Sequence, residues 1–342
     1  MLNERKPMKI RSVEDLIREG DLSFAREPKH NPGELNFPRY ALTPIEHDYP
    51  GKSPVMWNRA YQKFGFDAGY VFMIGNPEKA SVILEAFNAD PKYIGGGAGV
   101  GFKDEVVKYI DLDPMAKAIG AINFIMKVDG KLRGYNTDGL GYAASLGAMF
   151  DGDLTDKRIV ILGAGGTGNA IAFALAGMKA RVVILNRTVE KAKELADRIN
   201  RFESREAATY GGEDQIVKTV LKADAIVNVS TKGAVGPMEQ YSALAPARLP
   251  ATPENVAANL AETAAILDRM SHTTIVSDVV LTKKPSPLLA AATQRGFKTL
   301  DGIPMVVNQG VEAFWMLHGQ ELRTKGITKG ELAEAMKEAA NT

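Results

Sequence analysis

The chain has 342 residues, 45% of them hydrophobic, with 42 Lys and Arg against 41 Asp and Glu for a formal net charge of +1. That length is enough for two domains of ordinary size, and the balanced charge gives no support for nucleic-acid binding, which draws on a basic excess or stripe. There is no cysteine, so disulfides, thiolate catalysis and Cys-based zinc sites are excluded.

In chain order, residues 1–37 are polar and punctuated by proline and read as an N-terminal extension. Within it Ser12 precedes Glu14 and Asp15, the pattern of a capped short helix. The start of the chain lacks an apolar signal-type core. No apolar run approaches the ~18–20 residues of a membrane span, so a cytoplasmic protein without membrane contact is expected. A first α/β unit covers 38–137. Pro54 begins a helix over 54–63 with Ser53 as N-cap. Strands are predicted at 70–74 and 92–94, helices at 77–87 and from Asp104, and strands at 122–127 and 132–135 flank Asp129-Gly130, a hairpin signal. A second unit covers 138–306. Its strands are predicted at 159–162, 181–185, 225–229, 274–278 and 298–300, and its helices at 167–178, 189–199 and 287–295. Residues 235–253, rich in Pro and Ala, read as a surface excursion. Helices near 308–317 and 329–340 close the chain, and 307–342 is assigned back to the first unit. Alternating strands and helices imply a parallel, doubly wound sheet.

The segment Gly163-Ala164-Gly165-Gly166-Thr167-Gly168 follows an apolar strand and opens a helix. Gly163, Gly165 and Gly168 match the G-x-G-x-x-G spacing of a dinucleotide-binding turn. The first allows the tight turn, the second lets a pyrophosphate approach the backbone, and the third lets helix and strand pack closely. The helix N-terminus then presents free N–H groups to the phosphates. The next strand ends in Asn186-Arg187-Thr188. An NAD site usually carries an acid there for the ribose 2′-OH; here Arg187 can pair with a 2′-phosphate instead. NADP is therefore the expected cofactor, with NAD left open. A second glycine run, 95–101, fails the phosphate-loop pattern because Phe102 separates Gly101 from Lys103. It reads as a loop that forms a pocket wall, where backbone approaches a ligand. Lys103 falls at a predicted helix start, a poor place for a cation against the helix dipole. That placement hints at a role other than stability. The four histidines, His30, His47, His272 and His318, have no metal-ligand spacing, and no metal is expected.

Several motifs in order resemble the shikimate/quinate dehydrogenase family: Ser53-Pro54-Val55-Met56-Trp57-Asn58, Gly120-Ala121-Ile122-Asn123, Tyr135-Asn136-Thr137-Asp138-Gly139, the glycine turn and Asn186-Arg187-Thr188, then Asp278-Val279-Val280, Pro287-Leu288-Leu289, Asp301-Gly302 and Gln309-Gly310. The resemblance covers roughly 53–319. It implies an N-terminal α/β substrate domain and a Rossmann-type doubly wound NADP-binding domain with a cleft between them. It implies a catalytic Lys103 with Asp138 as carboxylate partner, and Ser53, Asn123 and Gln309 as substrate-binding residues. The candidate cofactor set is Gly163, Ala164, Gly165, Gly166, Thr167, Gly168, Asn186, Arg187, Thr188, Lys191, Ser230, Val279 and Gly302. A hydride moving between nicotinamide and a carbinol carbon must be matched by a proton on oxygen, and a lysine held by a carboxylate can handle it.

The chain departs from the family at substrate-facing positions. Gly51 replaces the first serine of a pair, Gly97-Ala98-Gly99 replaces N-V-T, and Leu281 replaces a tyrosine. These losses imply a rebuilt carboxylate clamp, an enlarged pocket, and Lys52 or His47 as replacement donors. The expected activity is hydride transfer between NADP and a cyclic polyhydroxy or keto substrate related to shikimate. An ordinary shikimate or quinate 5-dehydrogenase is the alternative, and a non-catalytic ligand sensor is the alternative of another class. Whether the protein forms a homodimer stays open.

Overall fold

A computed structural model describes residues 10–27, 30–282 and 284–341, so part of the predicted N-terminal extension lies outside the described residues. Two compact units result. One holds the described residues up to Thr137 together with those from Gly310 onward; the other is Asp138–Gln309.

The first unit begins with α1 (Val13–Arg18), where Ser12 accepts the Asp15 N–H and Asp15 accepts the Ser12 N–H, each at 3.0 Å. This reciprocal cap satisfies two donors that the helix itself cannot. Strand β1 (Leu22–Phe24) follows, then β2 (Arg39–Ile45), α2 (Ser53–Phe64), β3 (Ala68–Gly75), α3 (Ala80–Ala89), β4 (Tyr93–Gly97), β5 (Asp111–Leu112), α4 (Pro114–Ile119), β6 (Phe124–Val128) and β7 (Lys131–Tyr135). The strands form one mixed sheet in the order β1-β3-β2-β4-β6-β7-β5. Residues 22–24 therefore pair antiparallel with β3 as an edge strand. The Asn31 amide ties the following turn to the backbone of Phe72, accepting its N–H at 2.6 Å.

Two expectations fail here. The glycines 95–97 belong to β4 and not to a loop. A Cβ on Gly96 would lie 1.9 Å from the Leu42 carbonyl oxygen, so only glycine lets β4 run this close to β2. The helix expected from Asp104 is a single 3-10 turn at Val106–Lys108, and Lys103 sits in the turn before it. Lys103 therefore does not stand at the start of an α-helix and faces no helix dipole.

The second unit holds α5 (Asp138–Gly147), β8 (Arg158–Leu162), α6 (Gly166–Gly177), β9 (Arg181–Leu185), α7 (Val189–Glu203), β10 (Ala208–Gly211), α8 (Ile216–Val220), β11 (Ala225–Asn228), α9 (Pro253–Leu267), β12 (Ile275–Asp278), α10 (Pro287–Gln294) and β13 (Thr299–Leu300). All neighbouring strands are parallel, in the order β10-β9-β8-β11-β12-β13. The order reverses between β8 and β11, where doubly wound sheets bind ligands at their carboxyl ends. The close approach of α5 to α6 depends on Gly139, whose Cβ would lie 2.1 Å from the Ala170 carbonyl oxygen.

The segment expected to be a surface excursion is partly core. Tyr241, Ser242, Ala243, Leu244 and Ala245 are at most 2% exposed. Asn259, on the unpredicted helix α9, makes this tolerable: it accepts the Ser242 N–H at 2.9 Å and donates to the Ser242 and Ala245 carbonyls. Buried backbone must find partners, and a buried amide side chain supplies them. The chain ends with α11 (Ile303–Thr324) and α12 (Lys329–Ala340). In the first unit Trp57 of α2 packs on Phe314 with ring centroids 5.0 Å apart.

Candidate active site

The second unit carries a cavity of about 360 Å³ at the carboxyl ends of its central strands. Gly163, Ala164 and Gly165 form one wall; Asn186, Arg187, Thr188 and Lys191 form another, joined by Ser230. Gly163 has φ 122° and closes the turn against Val229 and Ser230. Around the missing Cβ of Gly165 nothing lies within 4 Å, which is the open approach a pyrophosphate needs, whereas a Cβ on Gly168 would come within 2.9 Å of the Gly163 carbonyl oxygen and of Val229. Gly166 and Thr167 open α6 without lining the cavity, and neither do Gly168, Val279 or Gly302. The Asn186 carboxamide accepts the Ala164 N–H at 3.2 Å and donates to the Thr188 carbonyl at 2.9 Å. It braces the turn against the strand end. Arg187 and Lys191 are exposed, and no carboxylate stands at the end of β9. These residues fit a 2′-phosphorylated dinucleotide: two cations line the cavity at the end of β9, and the acid that would repel a phosphate there is missing.

The loops after β11 and β12 are locked together below the cavity. Asn228 accepts the Ser230 N–H and hydroxyl at 2.9 and 2.7 Å and donates to Asp278 at 3.0 Å. Asp278 also accepts the Ser286 hydroxyl at 2.6 Å and the Val280 N–H at 3.0 Å. Burial pushes its carboxyl above the ordinary range, partly offset by these donors. Glu213 and Lys232 also line the cavity, 2.9 Å apart. The glycine spacing did not point to them. A lysine two residues past Ser230 was the available signal.

In the first unit, Ser53 is the first residue of α2 rather than its N-cap, and Lys52 in the cap position makes no side-chain capping bond. The Ser53 hydroxyl instead faces a buried cluster. Thr43 and Tyr70 hydroxyls lie 2.5 Å apart, and Thr43 accepts the Gly97 N–H at 2.7 Å. Burial pushes the Tyr70 phenol up to about 12, and the Thr43 and Ser53 hydroxyls keep it from rising further. Asn123 accepts the Thr137 N–H at 2.7 Å and donates to the Thr137 hydroxyl at 3.0 Å, joining two of the sequence motifs. Phe102, fully buried, anchors the turn that carries the exposed Lys103.

The glycines at 51, 97 and 99 do not enlarge a pocket. A Cβ at Gly51 would meet Phe72 and Tyr49 at 2.7 Å; at Gly97, the Thr43 hydroxyl at 2.9 Å; at Gly99, Ile45 at 2.4 Å and the Pro44 carbonyl oxygen at 2.8 Å. The space of the missing side chains is already filled. His47 and Lys52 are exposed on the altered loop, and Asp48 between them accepts the Arg26 N–H at 2.8 Å. In the second unit Asp138 is the first residue of α5, where a carboxylate suits the helix dipole. Gln309 donates to the Val306 carbonyl at 3.0 Å, and its backbone packs against Gly141. Leu281 is exposed and does not line the nucleotide cavity. Among the described residues no cluster of three or more acidic or histidine side chains is placed to hold a metal, and no helix is long and apolar enough to cross a membrane.

A six-stranded parallel sheet of this order, with a glycine turn at its switch point, defines a Rossmann-type dinucleotide-binding protein. The family model for shikimate/quinate 5-dehydrogenase matches residues 145–240, and that for the shikimate dehydrogenase substrate-binding domain matches 43–125. A shikimate dehydrogenase (NADP(+)) of Methanobrevibacter smithii is 33% identical, over 81% of this chain and 89% of that protein. The chain belongs to the shikimate dehydrogenase family, whose members are oxidoreductases acting on a CH–OH group. Two solved structures bear on the site. Shikimate 5-dehydrogenase from Listeria monocytogenes, in complex with shikimate and NAD, is 25% identical with a TM-score of 0.71, covering 90% of this chain and 97% of that one. The ligand-free 5-ketofructose reductase of a Gluconobacter strain is 25% identical with a TM-score of 0.66, covering 88% and 98%.

Proposed function

We propose that this chain is an NADP-dependent dehydrogenase of a shikimate-type substrate, interconverting a ring CH–OH and its ketone. The observation that carries the proposal is the nucleotide cavity, where Arg187 and Lys191 stand beside the open Gly165 and no acid ends β9. The relative's NADP(+) and the Listeria enzyme's shikimate support the same reading. When bound, nicotinamide supplies or accepts the hydride. The chain's own groups do the rest. Residues 138–306 hold the cofactor; residues 38–137 with 307–342 hold the substrate. Lys103 and Asp138 handle the proton on the substrate oxygen, and Ser53, Asn123 and Gln309 hold its hydroxyls.

A second reading, a polyhydroxy ketone without a carboxylate, is favoured by Gly51, Gly97 and Gly99. Their missing donors cannot be restored in place, because Tyr49, Thr43 and Ile45 occupy the space. The 5-ketofructose reductase shows that such a substrate class is served on this fold. Steady-state rates with NADP(H) against shikimate, quinate and 5-ketofructose decide between them. Turnover of shikimate at the highest kcat/KM supports the first reading. A preference for the neutral ketone supports the second, and no nicotinamide oxidation or reduction with any of them supports the sensor.

A further inference from the structure

The cavity has three kinds of wall. The glycine turn suits pyrophosphate, and Arg187 with Lys191 suits the 2′-phosphate. The third is apolar, formed by Ile216, Met238, Ala243 and Pro246, and it carries one carboxylate, Glu213. An apolar wall with an acid repels phosphate and suits a flat base that has N–H donors. In NADP the 2′-phosphate and adenine are carried by the same ribose, and Glu213 follows β10, the strand next to β9 whose end carries Arg187, so adenine rather than nicotinamide is the ring on this side of the cavity.

Glu213 does not stand there by chance of exposure. It follows the end of β10, while Lys232 follows the end of β11, so their bridge spans the carboxyl edge of the sheet. Lys232 is only 9% exposed and donates to Glu213 Oε1 at 2.9 Å and to the Ala245 carbonyl at 3.1 Å. The pair is only half buried, with the Glu213 side chain 36% exposed, so its attraction is screened and adds little stability. What it does well is fix a group in place. Glu213 Oε2 has no protein hydrogen bond among the described residues, and an ionised carboxylate has acceptor capacity to spare after one lysine contact.

We propose that Glu213, oriented by Lys232, accepts a hydrogen bond from the exocyclic amine of adenine, so that this site reads the base as well as the 2′-phosphate. The inference rests on the NADP reading above. Glu213 is the contacting residue and Lys232 a positioning residue.

The test compares calorimetric binding of NADP with that of its hypoxanthine analogue, in which the amine is replaced by an acceptor oxygen. NAD is run alongside as the control for 2′-phosphate recognition. The unaltered chain is expected to favour NADP over the analogue by at least about tenfold, since a site built to accept a donor rejects a ligand lacking it. Glu213→Ala reduces that ratio to within about twofold. Glu213→Gln, which keeps the shape and can serve either base, gives a ratio between the two. Lys232→Met lowers the ratio while leaving the NADP/NAD ratio unchanged. Equal binding of the two bases by the unaltered chain overturns the inference, as does a ratio that Glu213→Ala and Glu213→Gln both leave intact. Failure of the unaltered chain to bind NADP overturns the cofactor reading itself, and this inference with it.

Discussion

In the parallel sheet of Asp138–Gln309 the cofactor groups stand on consecutive residues at strand ends, at Gly163–Gly165 and Asn186–Thr188. In the mixed sheet of the first unit the hydroxyls of Thr43, Tyr70 and Ser53, the last a proposed substrate contact, come from three separate elements and meet only in space. The first kind of site is made of backbone geometry, which short motifs encode. The second is made of side-chain packing, and a change at one position is absorbed by another far along the chain. Recognition of the cofactor can therefore be altered residue by residue, while the substrate side responds as a packed unit.

The largest expected effect tests chemistry apart from binding. Lys103→Ala lowers kcat by about 100- to 10,000-fold, the usual contribution of a positioned acid–base group. The NADP dissociation constant, set in the other unit, stays within about twofold. Unchanged turnover removes Lys103 from the mechanism. Next is Arg187→Ala, expected to weaken NADP by roughly 10- to 100-fold with little effect on NAD, because only the charge-assisted contact to the 2′-phosphate is lost. Parallel losses for both cofactors would place Arg187 at a group the two share.

The third effect breaks the comparison at the substrate side. Gly99→Thr restores the family's residue type, yet its Cβ would lie 2.4 Å from Ile45 and 2.8 Å from the Pro44 carbonyl oxygen. The expected outcome is a loss of about 1–3 kcal/mol of stability by overpacking, read from denaturant midpoints, with no gain in shikimate turnover. A variant of full stability and higher shikimate kcat/KM would show that the packing around Gly99 yields, and that the glycine had only deleted a donor.

This contrast also sets what could be read from the residues. The strands at 159–162 and 181–185 and the glycine turn were legible because apolar runs and glycine spacing are local signals. Helix α9 was not, since Asn255, Asn259 and Thr263 interrupt its apolar face, and the burial of Tyr241–Ala245 depends on the Asn259 contacts that α9 brings. The deletions at Gly51, Gly97 and Gly99 were visible, but what fills them was not. Thr43 and Ile45 lie some fifty residues before the glycines they meet, and no spacing rule joins them. The Lys232–Glu213 bridge escaped for the same reason, joining two strand ends through space.

The smallest effect concerns how the packed unit fails in acid. His318 is 4% exposed, packs against Phe66 and Phe314, and faces the Tyr61 hydroxyl at 3.2 Å. Burial, with the nearby Arg39 adding to it, lowers its imidazole from 6.5 to about 3. Between these values the unfolded chain takes a proton that the folded chain refuses. Its contribution to stability is therefore fully present above pH 6.5 and is lost as pH falls toward 3, at no more than about 1.4 kcal/mol per pH unit. Both tryptophans, Trp57 and Trp315, belong to this unit, so their fluorescence reports its unfolding separately from that of the nucleotide-binding unit. From pH 7.5 to 5 the tryptophan-detected Tm of the unaltered chain should fall more steeply than that of His318→Gln, which keeps a polar partner for Tyr61 and cannot titrate. Parallel curves would show that the acid sensitivity of the first unit arises elsewhere than in its buried imidazole.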